Sequence, residues 1–267
     1  MQVMNITTRQ ILLDVNRTFY ATVAPDFDQT RAGLPAGWQL LKAYIPVGMP
    51  EKPLTILDAG CGNGRFARAL ETYGATVCYV GVDADAALLA FAAQNTRELE
   101  HVQPHFFQGD LSEPGWPAKL PTGLIPCAAP ANMPGEQPLL FDTVVCFAAL
   151  HHFPGYALRL QIVKELAALC RVDSLLIFSN WQFLTSARFV QKQIAWQTVG
   201  LTEMDVDPGD ALLPWQQGGY AVRYVHQLDE TEMLRLANDA QLEIIATFYA
   251  DGKEGNLNLY TVLKKQG

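Results

Sequence analysis

The stretch ILDAGCGNGRFARAL, residues 56–70, constrains the fold more than any other feature, because an apolar strand runs into a glycine-rich turn and then into a helix. Glycines permit such a tight turn and let a ligand approach the backbone closely. Further along the chain, apolar runs bounded by turn residues alternate with helical periodicity, which is typical of βαβ units. The last segment alternates around Gly252 and Gly255, which predicts two antiparallel strands joined by a turn. We therefore expect an α/β fold built on a mostly parallel sheet with helices on both faces.

The length of 267 residues fits one large α/β domain with insertions, so we predict a single domain over residues 1–267. Residues 1–50 are expected to form an N-terminal cap, and residues 185–235 a substrate-side cap segment. Residues 112–140 are too rich in proline and glycine for a helix or a strand. That segment is predicted to be an inserted loop that either covers a ligand or is a passive decoration.

The composition of the chain limits which partners and which cellular location we expect. The net charge of −8 and the pI of about 5.1 oppose the binding of a polyanion unless basic residues cluster or a partner supplies them. The N-terminus has no apolar signal-peptide core, and no run of about 18 uncharged apolar residues occurs. The cysteines form no C-x-x-C pair. We expect a cytoplasmic protein with no membrane partner and no metal site.

The charges around the glycine turn indicate what binds there. A dinucleotide fingerprint requires glycine at the sixth position from Gly60, where this chain has Arg65, and no G-K-[ST] follows for a phosphate loop. Asp58 lies two residues before the first glycine, where its charge disfavours a pyrophosphate and favours a cation. The turn is therefore expected to hold a cationic ligand without phosphates.

Two further acids follow the next two predicted strands, at the same carboxyl edge of the sheet. Asp83 comes 25 residues after Asp58, near the spacing of about 20 residues known for an acid that binds a ribose. The alternative role is an N-cap for the next helix, which Asp85 can also supply. Asp110 is placed to accept a hydrogen bond from an adenine amino group. Three acids in series predict a cationic nucleoside, S-adenosylmethionine, as the ligand.

The motifs LDAGCGNGRF, VGVDAD, FQGDL and FDTVVCFAALHH, from about residue 54 to 181, resemble in order those of class I S-adenosylmethionine-dependent methyltransferases. The resemblance implies a Rossmann-like, seven-stranded, mostly parallel sheet whose last two strands form an antiparallel hairpin. It also implies S-adenosylmethionine as cofactor and S-adenosylhomocysteine as product. On this basis the predicted cofactor-binding residues are Asp58, Gly60, Cys61, Gly62, Gly64, Asp83, Ala84, Asp110, Leu111, Phe147, Tyr20 and Arg31. Arg31 is expected to pair with the methionine carboxylate.

A looser, nearly full-length resemblance concerns the acceptor. The segments FYATVAPDFDQTR, ALHHF, LLPW, RYVHQLDETEM and DGKEGNLNLYTVLKK are similar to those of eukaryotic tRNA wobble-uridine methyltransferases that esterify 5-carboxymethyluridine. This resemblance implies a tRNA acceptor and a small zinc-binding partner protein, although the loop at 112–140 departs from the compact form of that family. The alternatives are O- or N-methylation of an anionic small molecule, and a nonenzymatic S-adenosylmethionine-binding protein.

Two groups of residues are candidates for work on the acceptor. His151 and His152 follow a predicted strand at the carboxyl edge, where an imidazole can bond an acceptor oxygen or take a proton; the alternative is a structural histidine. Trp215, Arg223, Tyr224 and His226 form an aromatic and basic cluster of the kind that binds a base and phosphate or an anionic small molecule. In a cap, such residues also serve as packing.

Overall fold

The computed structural model describes residues 4–30, 33–46, 48–121 and 139–266. The strands of these residues, in chain order, are β1 (Leu54–Ala59), β2 (Val77–Asp83), β3 (Val102–Gln108), β4 (Phe141–Phe147), β5 (Cys170–Trp181), β6 (Asp210–Trp215), β7 (Ala221–His226), β8 (Leu242–Ala250) and β9 (Asn258–Lys265). The α-helices are α1 (Ile6–Thr30), α2 (Ala36–Leu41), α3 (Arg65–Tyr73), α4 (Ala86–Thr96), α5 (Tyr156–Ala168), α6 (Ala187–Val190) and α7 (Glu230–Asp239). Short 3₁₀ helices lie at Trp116–Lys119, Leu150–His152, Phe183–Thr185 and Trp196–Val199.

Seven strands form one sheet in the order β3-β2-β1-β4-β5-β9-β8. The first five strands in this order are parallel to one another, whereas β9 runs antiparallel to both β5 and β8. The expected Rossmann-like fold with its C-terminal antiparallel hairpin is thereby confirmed. The strand order reverses between β1 and β4, and parallel α/β sheets bind ligands outside the carboxyl ends of the strands at such a switch point.

Helices cover both faces of the sheet, so the inner strands are buried on both sides. One apolar cluster joins strand residues to Ile162 of α5 and Leu236 of α7. The other joins strand residues to Phe66 of α3 and to Trp38 of α2. β1 is buried along its whole length because it lies between two other parallel strands and because these helices cover both of its faces.

The turn after β1 needs its glycines for conformation. Gly60, Gly62 and Gly64 have φ angles of 80°, 54° and 73°, in the left-handed region that other residues adopt only at a cost. A Cβ on Gly60 would lie 2.6 Å from the Cβ of Ala149, in the loop after β4. The turn thus lies directly against the loop that carries the two histidines.

A cap lies over the carboxyl edge of the sheet. Strands β6 and β7 form a separate antiparallel hairpin, and α1 packs along β7. Leu12 of α1 belongs to one apolar cluster with Leu212 and Tyr224, and Phe19 belongs to another with Trp215. The predicted N-terminal cap and substrate-side cap therefore meet through α1 and this hairpin.

The start of the predicted inserted loop, residues 112–121, contains the 3₁₀ helix Trp116–Lys119, whose tryptophan is buried in the core. The part of the predicted loop at residues 122–138 lies outside the described residues. Among the helices that the structure describes, none has the length and apolarity needed to cross a membrane.

Candidate active site

A cavity of about 630 Å³ lies at the carboxyl edge of the sheet, beneath α1 and the β6–β7 hairpin. At one end it is lined by the turn after β1 and by acids at the carboxyl ends of β1, β2 and β3. At the other end it is lined by the histidine loop after β4, the end of β5 and the hairpin. We call these two ends the acidic end and the aromatic end.

Asp58 is the most deeply buried acid of the acidic end, with 3% of its surface exposed. Its Oδ2 accepts a hydrogen bond of 2.5 Å from the Tyr79 hydroxyl, whereas its Oδ1 is buried without a hydrogen-bond partner among the described residues. Burial, opposed by that hydrogen bond, raises the pKa of Asp58 to about 7. A buried acceptor of this kind fits a ligand that carries a positive charge or N–H donors.

Asp83 holds the glycine turn against the start of α4. Its carboxylate accepts hydrogen bonds from the backbone N–H groups of Gly62 and Asp85, each at 2.9 Å. Burial raises the pKa of Asp83 to about 6. The N-cap of α4 is Asp85, whose side chain accepts from the N–H of Leu88. Asp83 is therefore not needed as a cap, and its side chain lines the cavity.

Asp110 also lines the acidic end, and its carboxylate already has partners. Oδ1 accepts from the backbone N–H and the hydroxyl of Ser112, and Oδ2 pairs with Arg17 of α1 at 2.9 Å. Although burial opposes it, hydrogen bonds from Ser112 and Arg17 lower the pKa of Asp110. The expected bond to an adenine amino group would therefore share this carboxylate with Arg17.

Helix α1 is fastened across the acidic end at two points. Arg17 reaches Asp110 beyond β3, and Asp28, near the end of α1, accepts hydrogen bonds from the side chains of Asn63 and Asn95 at 2.8 and 2.9 Å. Because both the middle and the C-terminal end of the helix bind groups beside the cavity, α1 is a cover for this end.

His152 is held by α1 at both its side chain and its main chain. Its Nδ1 lies 3.1 Å from the carbonyl of Tyr224, which only accepts, so Nδ1 carries the proton and donates it. Its Nε2 lies 2.9 Å from the Tyr20 hydroxyl. Asn16, one helical turn before Tyr20, donates to the His152 carbonyl and accepts from the Tyr224 N–H. The ring is thus fixed with Nε2 directed to Tyr20.

His151 lies beside His152, with 4.4 Å between the ring centroids, and both rings line the cavity. Its Nδ1 is 3.5 Å from the backbone nitrogen of Trp181, at the end of β5. The loop that carries both histidines leaves β4 through Ala148, whose φ is 51°. The Ala148 N–H donates to the carbonyl of Ser179, which fixes this uncommon backbone conformation against β5.

The aromatic end contains two of the four residues predicted to bind substrate. Trp215 and Arg223 line the cavity, and the guanidinium carbon of Arg223 lies 4.5 Å from the ring centroid of Trp181 and 5.9 Å from that of Trp215. Arg188 and Lys192 line the cavity from exposed positions.

Tyr224 and His226 are placed differently from the prediction. Neither side chain lines the cavity, and they are 0% and 2% exposed. The ring nitrogens of His226 lie 2.6 Å from Asp210 and 2.7 Å from Glu232, and the Tyr224 hydroxyl donates to the same Asp210. Both residues serve as packing within the cap, which was the alternative expectation, because their polar atoms are hydrogen-bonded inside a buried network. The placement of these two side chains therefore contradicts the prediction that they bind substrate.

The other predicted site residues divide between the cavity wall and its surroundings. Those that line the cavity are Tyr20, Gly60, Cys61, Gly62, Ala84, Leu111 and Phe147. Gly64 only shapes the turn, and Arg31 lies outside the described residues. Sequence reasoning missed Asn16, Arg17 and Trp181. Polar side chains one turn apart in α1 were the available signal for Asn16.

Comparison with known proteins is consistent with this geometry. Residues 57–176 match the family model described as a methyltransferase domain. A structure of S-adenosylmethionine-dependent methyltransferases from Methanosarcina mazei aligns with a TM-score of 0.60 and 17% identity, over 85% of this chain and 97% of that one. No curated protein matches the chain.

Two ligand-bound structures also align. One is 1,6-didemethyltoxoflavin-N1-methyltransferase of Burkholderia thailandensis, bound to 1,6-didemethyltoxoflavin and S-adenosylhomocysteine, with a TM-score of 0.59 and 18% identity over 95% of this chain and 88% of that one. The other is magnesium protoporphyrin IX methyltransferase of Synechocystis with bound S-adenosylhomocysteine, with a TM-score of 0.52 and 20% identity over 95% and 94%.

The family model confirms the prediction of a methyltransferase enzyme, and the aligned structures share the fold of this chain. The finer prediction of the tRNA wobble-uridine family is not confirmed.

Proposed function

We propose that this methyltransferase, whose cofactor is S-adenosylmethionine, methylates a small molecule held at the aromatic end of its cavity. One observation carries the proposal: the cavity continues from the acids at the carboxyl ends of β1, β2 and β3 to a compartment walled by Trp181, Trp215 and the histidine loop, beneath a cap. A covered space of about 630 Å³ suits a donor and a compact acceptor, because methyl transfer requires alignment of both and exclusion of water.

The residues of the acidic end fit the donor. The Oδ1 of Asp58, which has no hydrogen-bond partner in the described part of the chain, would accept from the ammonium of the donor's methionine part. Asp83, beside the glycine turn, would accept from ribose hydroxyls. The donor supplies a methyl group on a sulfonium, and the acids keep the surroundings of that positive charge favourable.

At the aromatic end, Tyr20 and His152 would handle the acceptor's proton. An acceptor O–H or N–H would pass its proton to the Tyr20 oxygen while Tyr20 passes its own to Nε2 of His152, which is 2.9 Å away. Because Nδ1 already donates to a carbonyl, Nε2 is the nitrogen able to receive it. An acceptor that is already ionised, such as a carboxylate, would need no such step.

Two of the aligned structures are enzymes named for small molecules, 1,6-didemethyltoxoflavin and magnesium protoporphyrin IX, which favours a small-molecule acceptor. A tRNA wobble uridine stays a second candidate, favoured by the exposed Arg188 and Lys192 at the cavity. The net charge of −8 opposes it, so a tRNA substrate would require the predicted zinc-binding partner to supply cations. A cytoplasmic location likewise stays a prediction.

The test is transfer of a labelled methyl group from S-adenosylmethionine into separate pools of small metabolites and bulk tRNA, with Asp83→Ala as the control that lacks donor binding. Label in the metabolite pool, absent with the variant, is the expected result. Label in tRNA that mild alkali releases would instead indicate a methyl ester and favour the wobble-uridine acceptor. Label in neither pool, with the zinc-binding partner absent or present, would contradict both acceptors.

A further inference from the structure

We infer that the acceptor is a planar aromatic acid whose anionic group is bound by Arg223, which makes this arginine the residue that sets acceptor specificity. The inference deepens the proposed function and rests on it, since it presumes that the aromatic end holds the acceptor.

The first support is the separation of charge along the cavity. The described acidic residues that line it all lie at or just after the carboxyl ends of the strands on one side of the switch point; they are Asp58, Asp83, Asp85 and Asp110. The basic residues that line the cavity beyond β5 are Arg188, Lys192 and Arg223. Two further arginines, Arg17, which pairs with Asp110, and Arg65, lie among the acids, where the four carboxylates outnumber them. No described carboxylate lines the cavity at that end. A cavity charged in this way attracts a cationic donor to one end and an anion to the other.

The second support is the way the Arg223 guanidinium is held. It lies over three rings, with its central carbon 4.5 Å from the centroid of Trp181, 5.6 Å from Phe19 and 5.9 Å from Trp215. Contact with several aromatic rings holds a guanidinium in place, while its N–H groups stay hydrogen-bond donors within its own plane. A carboxylate in the plane can therefore accept two parallel hydrogen bonds from a group that is already oriented.

The third support is distance from the candidate catalytic centre. Trp181, the ring nearest to Arg223, has its centroid 6.4 Å from that of His151. The Trp181 ring thus contacts both the guanidinium of Arg223 and the histidine loop. An acceptor with a flat ring and an acidic substituent, stacked on Trp181, would reach both.

The test uses two probes of nearly equal shape, 1-naphthoate and neutral 1-naphthamide, measured by calorimetry on the whole protein saturated with S-adenosylhomocysteine. A bidentate bond to the charged probe predicts about tenfold tighter binding of the naphthoate. Arg223→Gln should remove this preference. The matched control is Arg235→Gln, which removes a guanidinium stacked 4.0 Å from the Tyr156 ring and outside the cavity wall, and should keep the preference.

Equal binding of the two probes by the unmodified protein would overturn the inference, as would a preference that survives Arg223→Gln. If that variant does not fold, Arg223→Lys keeps the charge without the planar pair of donors and is expected to reduce the preference to about threefold. An undiminished preference in Arg223→Lys would also overturn it. Binding of S-adenosylhomocysteine is measured first: its failure would count against the proposed function, whereas its success without a probe preference would count against this inference alone.

Discussion

Replacing Asp58 by asparagine tests the physical basis of the donor site. Burial raises the pKa of Asp58 from 3.8 to about 7, so the folded protein binds this proton more tightly than the unfolded chain does. Stability contributed by Asp58 is therefore complete at low pH, falls as the pH rises through this interval, and stays low above it. At 1.36 kcal/mol per pH unit, the loss of stability relative to low pH is about 4 kcal/mol at pH 8, where the folded carboxyl group is ionised. At pH 5, where only the unfolded chain has ionised, the loss is about 2 kcal/mol.

Asparagine retains an oxygen to accept from Tyr79 and removes the charge, but its buried NH₂ group costs about 1–3 kcal/mol if it stays unpaired. The ligand-free Asp58→Asn variant should therefore be more stable than the parent at pH 8, by about 2 kcal/mol, and close to it at pH 5. Urea unfolding followed by circular dichroism measures both differences. Calorimetry should show that the same variant binds S-adenosylhomocysteine at least about tenfold more weakly, because Oδ1 no longer accepts as an anion.

A stability difference between variant and parent that is the same at pH 5 and pH 8 would refute the assignment of a raised pKa to Asp58. Asp110→Asn is a control of opposite sign. Because the pKa of Asp110 is lowered in the folded protein, its ionised form adds stability that is lost as the pH falls. Its replacement should therefore lower the free energy of unfolding at pH 8.

Three further predictions concern other parts of the site. Asp83→Asn should weaken binding of S-adenosylhomocysteine in calorimetry at pH 8 while leaving a folded protein, and donor binding by the parent should weaken as the pH falls below the pKa of about 6 of Asp83; unchanged affinity would remove the ribose role. Arg17→Gln should alter stability by less than about 1 kcal/mol, since its ion pair with Asp110 is partly exposed, yet speed donor release in stopped-flow measurements; unchanged release would mean that α1 is no cover. His226→Gln should cost about 3–5 kcal/mol in urea unfolding because two carboxylates lose the cation between them. Burial opposes but these carboxylates raise the pKa of His226 above 6.5, so its stabilisation is complete below that pH and lost as the pH rises through the raised value, a dependence that the variant should lack.

The sequence predicted those parts of the site that local chain geometry determines. Asp58 and Asp83 lie at the carboxyl ends of buried strands, and parallel strands bring these ends to one edge, so their grouping followed from the alternation of strands and helices alone. The C-terminal hairpin was predictable from the alternating segments on either side of Gly252 and Gly255. Both glycines have positive φ angles between the two strands.

The sequence did not predict contacts between residues distant along the chain. Arg17 and Asp110 are 93 residues apart, and no local pattern marks one as the partner of the other. His226 and Tyr224 have the composition of a binding cluster, yet Asp210 and Glu232 use their polar atoms inside the cap. Whether a polar residue on a strand faces a cavity or a buried partner depends on which side of the hairpin packs on α1, and this is a tertiary property.

Helix α1 connects the two ends of the cavity physically. Arg17 binds Asp110 at the acidic end, whereas Asn16 and Tyr20, which share a helical face, hold His152 near the aromatic end. A movement of α1 large enough to free Asp110 would also draw Tyr20 away from Nε2 of His152. Donor entry and assembly of the proton-accepting pair are therefore linked through one rigid element, so a donor that holds α1 in place also favours the arrangement needed for the acceptor.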